Sequence, residues 1–136
     1  LRYRTGDLSR FVPGFCSCGS ILRRIEKIRA RKTGLVSMGT HGDISMADLD
    51  EALFPIAGVV DFSADIRRAG KFRLELTLHT VSDGIDEDMV MQALSSIPPL
   101  HSALASGTLG IDILFRIVSD ELEGKVSKRK INVHSK

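Results

Sequence analysis

The sequence predicts an α+β domain with a ferredoxin-like sheet, in the element order β-α-β-β-α-β. Three observations lead to this prediction. Apolar and polar residues alternate on both sides of a glycine-containing turn, which indicates a hairpin. Segments before and after that hairpin carry apolar residues at helical spacing behind a capping side chain. Another alternating segment follows the second helix, and the helices are expected to cover one face of the sheet.

The first half of the pattern contains a strand and a helix. Residues 34–38 form a short apolar run, which predicts a buried strand. Ser45 with Asp48 three residues later has the spacing of a capping box and predicts the start of a helix. The apolar residues behind this cap fall on one helical face: Met46, Leu49, Ala52, Leu53 and Ile56.

The second half contains the hairpin, a second helix and the remaining strands. Period-two alternation predicts the strands, while a capping aspartate and a pair of prolines predict the two ends of the helix. The elements follow in chain order: strands 59–66 and 72–78 around the turn 67–70, a helix from Asp86 to Pro98-Pro99, a strand 111–117, and a short tail strand near 128–133.

Length and composition exclude several classes of protein. The chain has 136 residues, of which 43% are hydrophobic and 26% charged, as expected of one globular domain of about 100 to 150 residues. No apolar run approaches the ~20 residues of a membrane span, and no signal peptide opens the sequence. We therefore expect a cytoplasmic protein without a membrane partner.

The net charge of +2 conceals three blocks of unlike charge. Residues 1–33 carry nine Lys and Arg against two acids, residues 34–123 carry five against fifteen, and residues 124–136 carry five against none. Two basic ends around an acidic middle suggest an anionic ligand that both ends contact. A pair of solvated basic tails is the alternative. Nucleic acid is not expected, because few aromatic residues accompany the basic stretches.

Thr5-Gly6-Asp7 predicts a turn that presents one carboxylate. A carboxylate that accepts two hydrogen bonds is a common way to hold the diol of a ribose. The alternative is an ordinary turn in which Asp7 bonds to its own backbone.

Cys16 and Cys18 offer two thiolates, which are half of a tetrahedral zinc site. The chain contains no second pair of cysteines, and its four histidines lack ligand spacing. A disulfide across a single residue would be strained.

Three segments within residues 1–33, which we call the arm, occur in a distinctive order: Tyr-Arg-Thr-Gly-Asp-Leu at 3–8, Cys-Ser-Cys-Gly at 16–19, and Arg-Ile-x-x-Ile-x-x-Arg at 24–31. Together they resemble the junction between the large and small domains of acyl-adenylate-forming (AMP-binding) ligases, in particular the branch that contains phenylacetate-CoA ligase. Near the other end, Glu123-Gly124-Lys125 resembles the terminal Gly-Lys motif of these enzymes.

The resemblance implies a role for each matching residue. Asp7 would bind the ribose, Arg31 would lie near the nucleotide, and Lys32 and Thr33 would form the hinge. Lys125 would be the catalytic lysine, whose long flexible ammonium can neutralise charge on both the attacking carboxylate and the α-phosphate.

The resemblance also implies the organisation and the ligands of the protein. Residues 1–33 would be the connecting arm and hinge from a missing N-terminal domain that binds ATP and the acyl group, and residues 34–136 the C-terminal lid. The start at Leu1, inside a charged run, agrees with a piece of a longer chain. The ligands would be ATP with Mg²⁺, a small-molecule acid (an aryl acid by analogy) and coenzyme A.

A metal site is implied as well. In the full-length protein, Cys16 and Cys18 would bind zinc together with ligands from the large domain. The isolated chain is expected to be an inactive fragment of an AMP-forming acid-thiol ligase.

Two other functions compete with this one. A ferredoxin-like module that binds or senses a small ligand without catalysis would make the Thr-Gly-Asp and Gly-Lys segments coincidences. A nucleic-acid-binding domain would show a steep salt dependence of binding, and the acidic middle of the chain argues against it.

Overall fold

The computed structural model describes residues 6–28, 30–31, 34–118 and 129–135, and shows a mixed α/β fold. Its elements are β1 (Asp7–Leu8), β2 (Phe11–Val12), β3 (Arg24–Ile25), β4 (Ala30–Arg31), β5 (Leu35–Ser37), β6 (Asp43–Ser45), α1 (Met46–Leu53), β7 (Val59–Ala69), β8 (Lys71–Thr80), α2 (Glu87–Ser95), α3 (Pro98–Ala105), β9 (Leu109–Ile117) and β10 (Ile131–Ser135). Among the helices so described, none is long and apolar enough to cross a bilayer.

The arm folds back on itself as two short antiparallel ladders. Strand β1 pairs with β4, and β2 pairs with β3. The Arg10 guanidinium donates to the Glu26 carboxylate at 2.6 Å, and the Glu26 amide donates to the Arg10 carbonyl at 2.9 Å. These bonds join the two halves of the arm between the ladders. Over its described residues the arm is therefore hairpin-like.

The first predicted helix begins where its capping signal lies. Strand β5 pairs with β6, and Ser45 at the end of β6 caps α1. The Ser45 side chain accepts from the Asp48 amide, while the Asp48 carboxylate accepts from the Ser45 amide at 2.8 Å. This capping box satisfies two backbone donors at the helix start. At Ser45 the chain passes from the β5–β6 ladder into α1, whose Leu49 and Leu53 are buried.

Replacing Ser45 with alanine should lower the free energy of unfolding by about 1 kcal/mol, the usual loss for a serine cap. Ser45 is only 3% exposed, so water has little access to replace the lost bond. Urea denaturation monitored by circular dichroism measures the change. Asp86→Ala, which removes the N-cap of α2 from an exposed position, is the matched variant and should cost less. Equal losses for the two variants would contradict the role assigned to burial.

The main sheet has four strands in the order β10-β7-β8-β9. Strands β7 and β8 form the predicted antiparallel hairpin at its centre, while β9 and β10 flank it as parallel partners. Only Gly70 separates β7 from β8, and its φ of +75° suits a residue without a Cβ atom. Strand β5 lies outside this sheet, in the ladder with β6. The ferredoxin-like assignment rests on the order of elements along the chain and stays a prediction.

The core lies on one face of the central hairpin. Cross-strand partners there bring buried residues together in rows, because alternate side chains of paired strands share a face. Residues from all three helices join the same hydrophobic cluster. Its members include Phe62 and Leu78, Ala64 and Leu76, Ile66 and Leu74 from the hairpin, with Leu49, Leu53, Val90, Leu94, Leu100 and Ala103 from the helices.

The opposite face of the sheet is polar and carries ion pairs between neighbouring strands. The like-charged residues Arg67 and Arg73 are direct cross-strand partners, an arrangement that would repel if left alone. Each guanidinium instead reaches diagonally to a carboxylate on the next strand. Two such pairs cross the sheet, Arg67 with Glu75 at 2.9 Å and Arg73 with Asp112 at 3.1 Å. The His134 imidazole lies 2.9 Å from the Asp65 carboxylate on the same face.

The region around Pro98 and Pro99 differs from the prediction. The second helix does end before these prolines, but they also begin a separate helix, α3, at its first two positions. Proline is favoured there because its missing N–H is one of the donors that a helix start leaves unpaired. The stop signal of one helix is thus the start signal of the next. Strand β9 begins at Leu109, two residues before the predicted start at residue 111.

Candidate functional site

The arm brings two of the sequence-predicted nucleotide residues together. Asp7 and Arg31 are direct partners in the ladder between β1 and β4, although 24 positions separate them along the chain. Asp7 is half-buried, and Gly6 before it has a φ of +75°. A backbone conformation that favours glycine therefore directly precedes the residue that the resemblance assigns to the ribose.

The arm contacts the body of the domain at helix α1. The Lys27 ammonium, after β3, pairs with the Glu51 carboxylate on the exposed side of α1. Both side chains are largely solvent-exposed, and such surface pairs contribute little to stability on their own. The Lys27–Glu51 pair nevertheless identifies α1 as the helix that the arm contacts.

The tail contacts the same helix one residue earlier. The Arg129 guanidinium lies 3.0 Å from the Asp50 carboxylate and 3.6 Å from that of Asp61. The guanidinium carbon also lies over the rings of Phe54 and Phe62, 4.6 and 5.4 Å from their centres. A cation that lies over aromatic rings and pairs with carboxylates at the same time is an environment that suits arginine better than lysine. We call these five residues the Arg129 cluster.

The electrostatics of the Arg129 cluster centre on Asp50. Burial raises the pKa of the Asp50 carboxyl above its ordinary value, the Arg129 guanidinium opposes this rise, and the Asp61 carboxylate adds to it. Desolvation therefore outweighs the ion pair. The native state binds the Asp50 proton more tightly than the unfolded chain, so this carboxyl stabilises the fold most when it is protonated.

Wild-type stability should consequently fall relative to an Asp50→Asn variant as the pH rises. The stabilising effect of the raised pKa is fully present below the unfolded-state value of about 3.9. It disappears as the pH rises through the higher native value. Urea denaturation of both proteins between pH 3 and 7 measures the difference in unfolding free energy. Asp83→Asn, at an exposed bend, controls for the loss of a carboxylate. A pH-independent difference between wild type and Asp50→Asn would contradict the assignment.

A histidine holds the loop before α1 against α3. His41 Nδ1 lies 2.9 Å from Ser102 Oγ, and its Nε2 lies 3.0 Å from Thr108 Oγ1. Ser106 and Thr108 both donate to the Ala103 carbonyl. Ser106 Oγ and Thr108 Oγ1 also lie 2.8 Å apart, so either hydroxyl can donate to the other. Both ring nitrogens are used in fixing the loop.

The two cysteines are close to each other. Cys16 is half-buried and Cys18 exposed, and their Sγ atoms are 2.9 Å apart. The hydrogen bond with Cys16 lowers the pKa of the Cys18 thiol, as does a backbone hydrogen bond from Ser20, against a smaller opposing effect of burial. In the part of the chain that the structure describes, no group of three or more metal-ligating side chains is present. Cys16 and Cys18 could therefore supply only half of a tetrahedral zinc site.

A shallow groove of about 470 Å³ lies on the polar face of the sheet, near the tip of the hairpin. The side chains of Arg67, Lys71 and Arg73 line it together with Phe72 and Glu75. Gly110 on the neighbouring strand leaves the space open. Its three cations fit a small anionic ligand better than an apolar one.

The other predicted site residues fall outside the described part of the chain. Lys125, the catalytic candidate, and the hinge residues Lys32 and Thr33 are among them. The sequence motifs assign no role to Arg129 or to Asp50. A basic residue in the predicted tail strand was the available signal, but only the fold shows which helix it meets.

Comparison with known proteins adds no relative: neither a family model nor a curated protein matches this chain.

Proposed function

We propose that this chain is the C-terminal lid of an ATP-dependent acid ligase, within a longer polypeptide that forms an acyl adenylate and then a thioester. Coenzyme A is the proposed acceptor and an aryl acid the proposed substrate class. The ferredoxin-like assignment of residues 34–136 and a cytoplasmic location belong to the same proposal. The conserved chemistry of such a ligase lies between the lid and a large domain that binds the nucleotide.

The observation that carries this proposal is the convergence of the two basic ends on α1. Lys27 of the arm pairs with Glu51, and Arg129 of the tail pairs with Asp50, the preceding residue. Residues far apart in the sequence thus approach one short stretch of helix. A lid that must act on one nucleotide with its arm and its tail requires such an approach, whereas two independent solvated tails do not.

Each proposed residue has a defined chemical task. The Asp7 carboxylate would accept hydrogen bonds from both ribose hydroxyls, with Arg31 beside it in the ladder. The substrate carboxylate would attack the α-phosphorus of ATP, and pyrophosphate would leave. Lys125 would neutralise the charge that both reactants bring together. Arg129 follows Lys125 by four residues and pairs with Asp50.

Replacing Asp7 with alanine in the full-length protein should weaken ATP binding by about tenfold or more, because two charge-assisted hydrogen bonds to the ribose are lost. Isothermal titration with ATP measures the affinity. Asp83→Ala, which removes an exposed carboxylate in the β8–α2 connection, should leave the affinity unchanged. Unaltered ATP binding by the Asp7 variant would make this aspartate a turn residue only.

The full-length protein provides the direct test of the whole proposal. The gene upstream of Leu1 should encode several hundred residues with a Ser/Thr/Gly-rich phosphate-binding loop. The protein should then exchange labelled pyrophosphate into ATP in the presence of an aryl acid. A gene that starts at this chain, or a long protein without acid-dependent exchange, would refute it.

A small-ligand-binding module is the second candidate, and the groove beside Arg67, Lys71 and Arg73 favours it. In that case the isolated chain would bind a small anion by itself, and binding would fall when Lys71 is replaced by alanine. Arg67 and Arg73 already pair with carboxylates, which lowers the charge available to a ligand. This function would leave the contacts of Lys27 and Arg129 with α1 unexplained, so we rank it second.

A further inference from the structure

The two cysteines share one tight turn of the arm. The Gly19 amide donates to the Cys16 carbonyl at 3.0 Å, and Gly19 has a φ of +79°. This bond closes a four-residue turn in which Cys16 is first and Cys18 third. The turn brings the two side chains closer together than they would be in an extended chain.

The distance between the sulfurs distinguishes two uses of the pair. Tetrahedral zinc with bonds of about 2.3 Å holds its sulfur ligands about 3.8 Å apart. The Sγ atoms of Cys16 and Cys18 lie 2.9 Å apart, closer than such a site requires. A disulfide needs about 2.05 Å, so the sulfurs lie about 0.9 Å beyond bonding distance. The geometry fits a dithiol better than half of a zinc site.

The pair is also within reach of a dissolved reagent. Cys18 is exposed, and the loop around it carries Phe15 and Ile21, each 87% exposed. Cys16 is half-buried beside it. A small disulfide can therefore react with Cys18 first, and Cys16 then lies next to the sulfur that has reacted.

We propose that Cys16 and Cys18 form a reversible redox dithiol that exchanges with low-molecular-weight disulfides such as oxidised glutathione. The Cys18 thiolate attacks one sulfur of the glutathione disulfide, and one glutathione leaves as its thiolate. Cys16, after losing its proton, attacks the Cys18 sulfur and displaces the second glutathione. The protein gains one disulfide, glutathione disulfide is reduced to two thiols, and the two protein protons pass to the departing thiolates.

The small ring makes this disulfide labile. A single residue separates the two cysteines, and strained or exposed disulfides are the ones that thiols reduce readily. An excess of reduced glutathione should therefore restore both thiols. Such a pair suits a sensor of the ratio of thiol to disulfide in solution better than a structural disulfide bond.

The test uses the complete 136-residue chain in buffers that contain oxidised glutathione. Samples are quenched with acid, and the mass of the intact protein is measured by mass spectrometry. Wild type should lose two hydrogens and retain no glutathione. Cys16→Ser should instead accumulate one bound glutathione, at least about tenfold above wild type, because the neighbouring nucleophile that removes it is missing. Cys18→Ser should form its adduct more slowly, since Cys16 is less exposed.

Three results would overturn the proposal. Wild type could keep as much bound glutathione as the serine variants, which would show that the pair does not resolve the adduct. Oxidation could yield disulfide-linked dimers in place of the two-hydrogen loss. An equimolar zinc salt could bind the wild type alone and protect both thiols, which would assign the pair to a metal. None of these measurements involves ATP, so this inference stands or falls separately from the ligase function.

Discussion

If the proposed function holds, replacing Lys125 with alanine in the full-length protein should slow adenylate formation by about 10²- to 10³-fold, the usual loss when one preorganised charge is removed from a developing anionic centre. Pyrophosphate exchange measures this half-reaction alone. Thioester formation from a preformed acyl adenylate should change little, because the phosphate chemistry is then complete. The two half-reactions therefore separate a catalytic lysine from one that supports the fold.

The control for this experiment lies in the same tail. Lys130 is exposed and follows Arg129 directly, so Lys130→Ala removes an equal charge five residues away. It should retain both half-reactions. A parallel loss of adenylation and thioester formation in Lys125→Ala would remove this lysine from the proposed role. A matching effect of Lys130→Ala would show that the general positive charge of the tail, rather than one ammonium, serves the reaction.

The fold elements that follow from sequence are those whose signals are local. Alternation predicted the hairpin, and its buried rows include Phe62 opposite Leu78. The spacing of Ser45 and Asp48 predicted the start of α1, and Asp86 caps α2 as expected. Each of these signals acts through bonds within a few residues or between adjacent strands, so the sequence around it contains the necessary information.

The features that escaped prediction depend on contacts between distant segments. Arg129 meets Asp50 only because β10 lies beside β7, on the far side of β7 from β8. The position of β5 outside the main sheet depends likewise on competition among strands that no local pattern records. Pro98 shows the other cause of failure, since a proline pair ends one helix and begins the next with equal ease.

Replacing Phe62 with alanine should lower the free energy of unfolding by about 3 to 5 kcal/mol, the usual cost of emptying a buried phenylalanine site. Phe62 is 2% exposed and its ring centre is 5.4 Å from that of Phe54. Phe15→Ala is the matched variant, because the same side chain is 87% exposed there and its loss should change stability by no more than about 0.5 kcal/mol. Urea denaturation of the three proteins gives the comparison.

Part of the cost of Phe62→Ala should come from the tail. Arg129 stacks on Phe62 as well as on Phe54, and partly desolvated pairs of this kind contribute about 1 to 2 kcal/mol. A double-mutant cycle with Arg129→Ala isolates that share, since the two residues are in contact and their effects should not add. The combined variant should therefore lose less stability than the two single losses together. Simple additivity would mean that Arg129 gains nothing from the Phe62 ring, which would leave Asp50, Asp61 and Phe54 as its stabilising contacts.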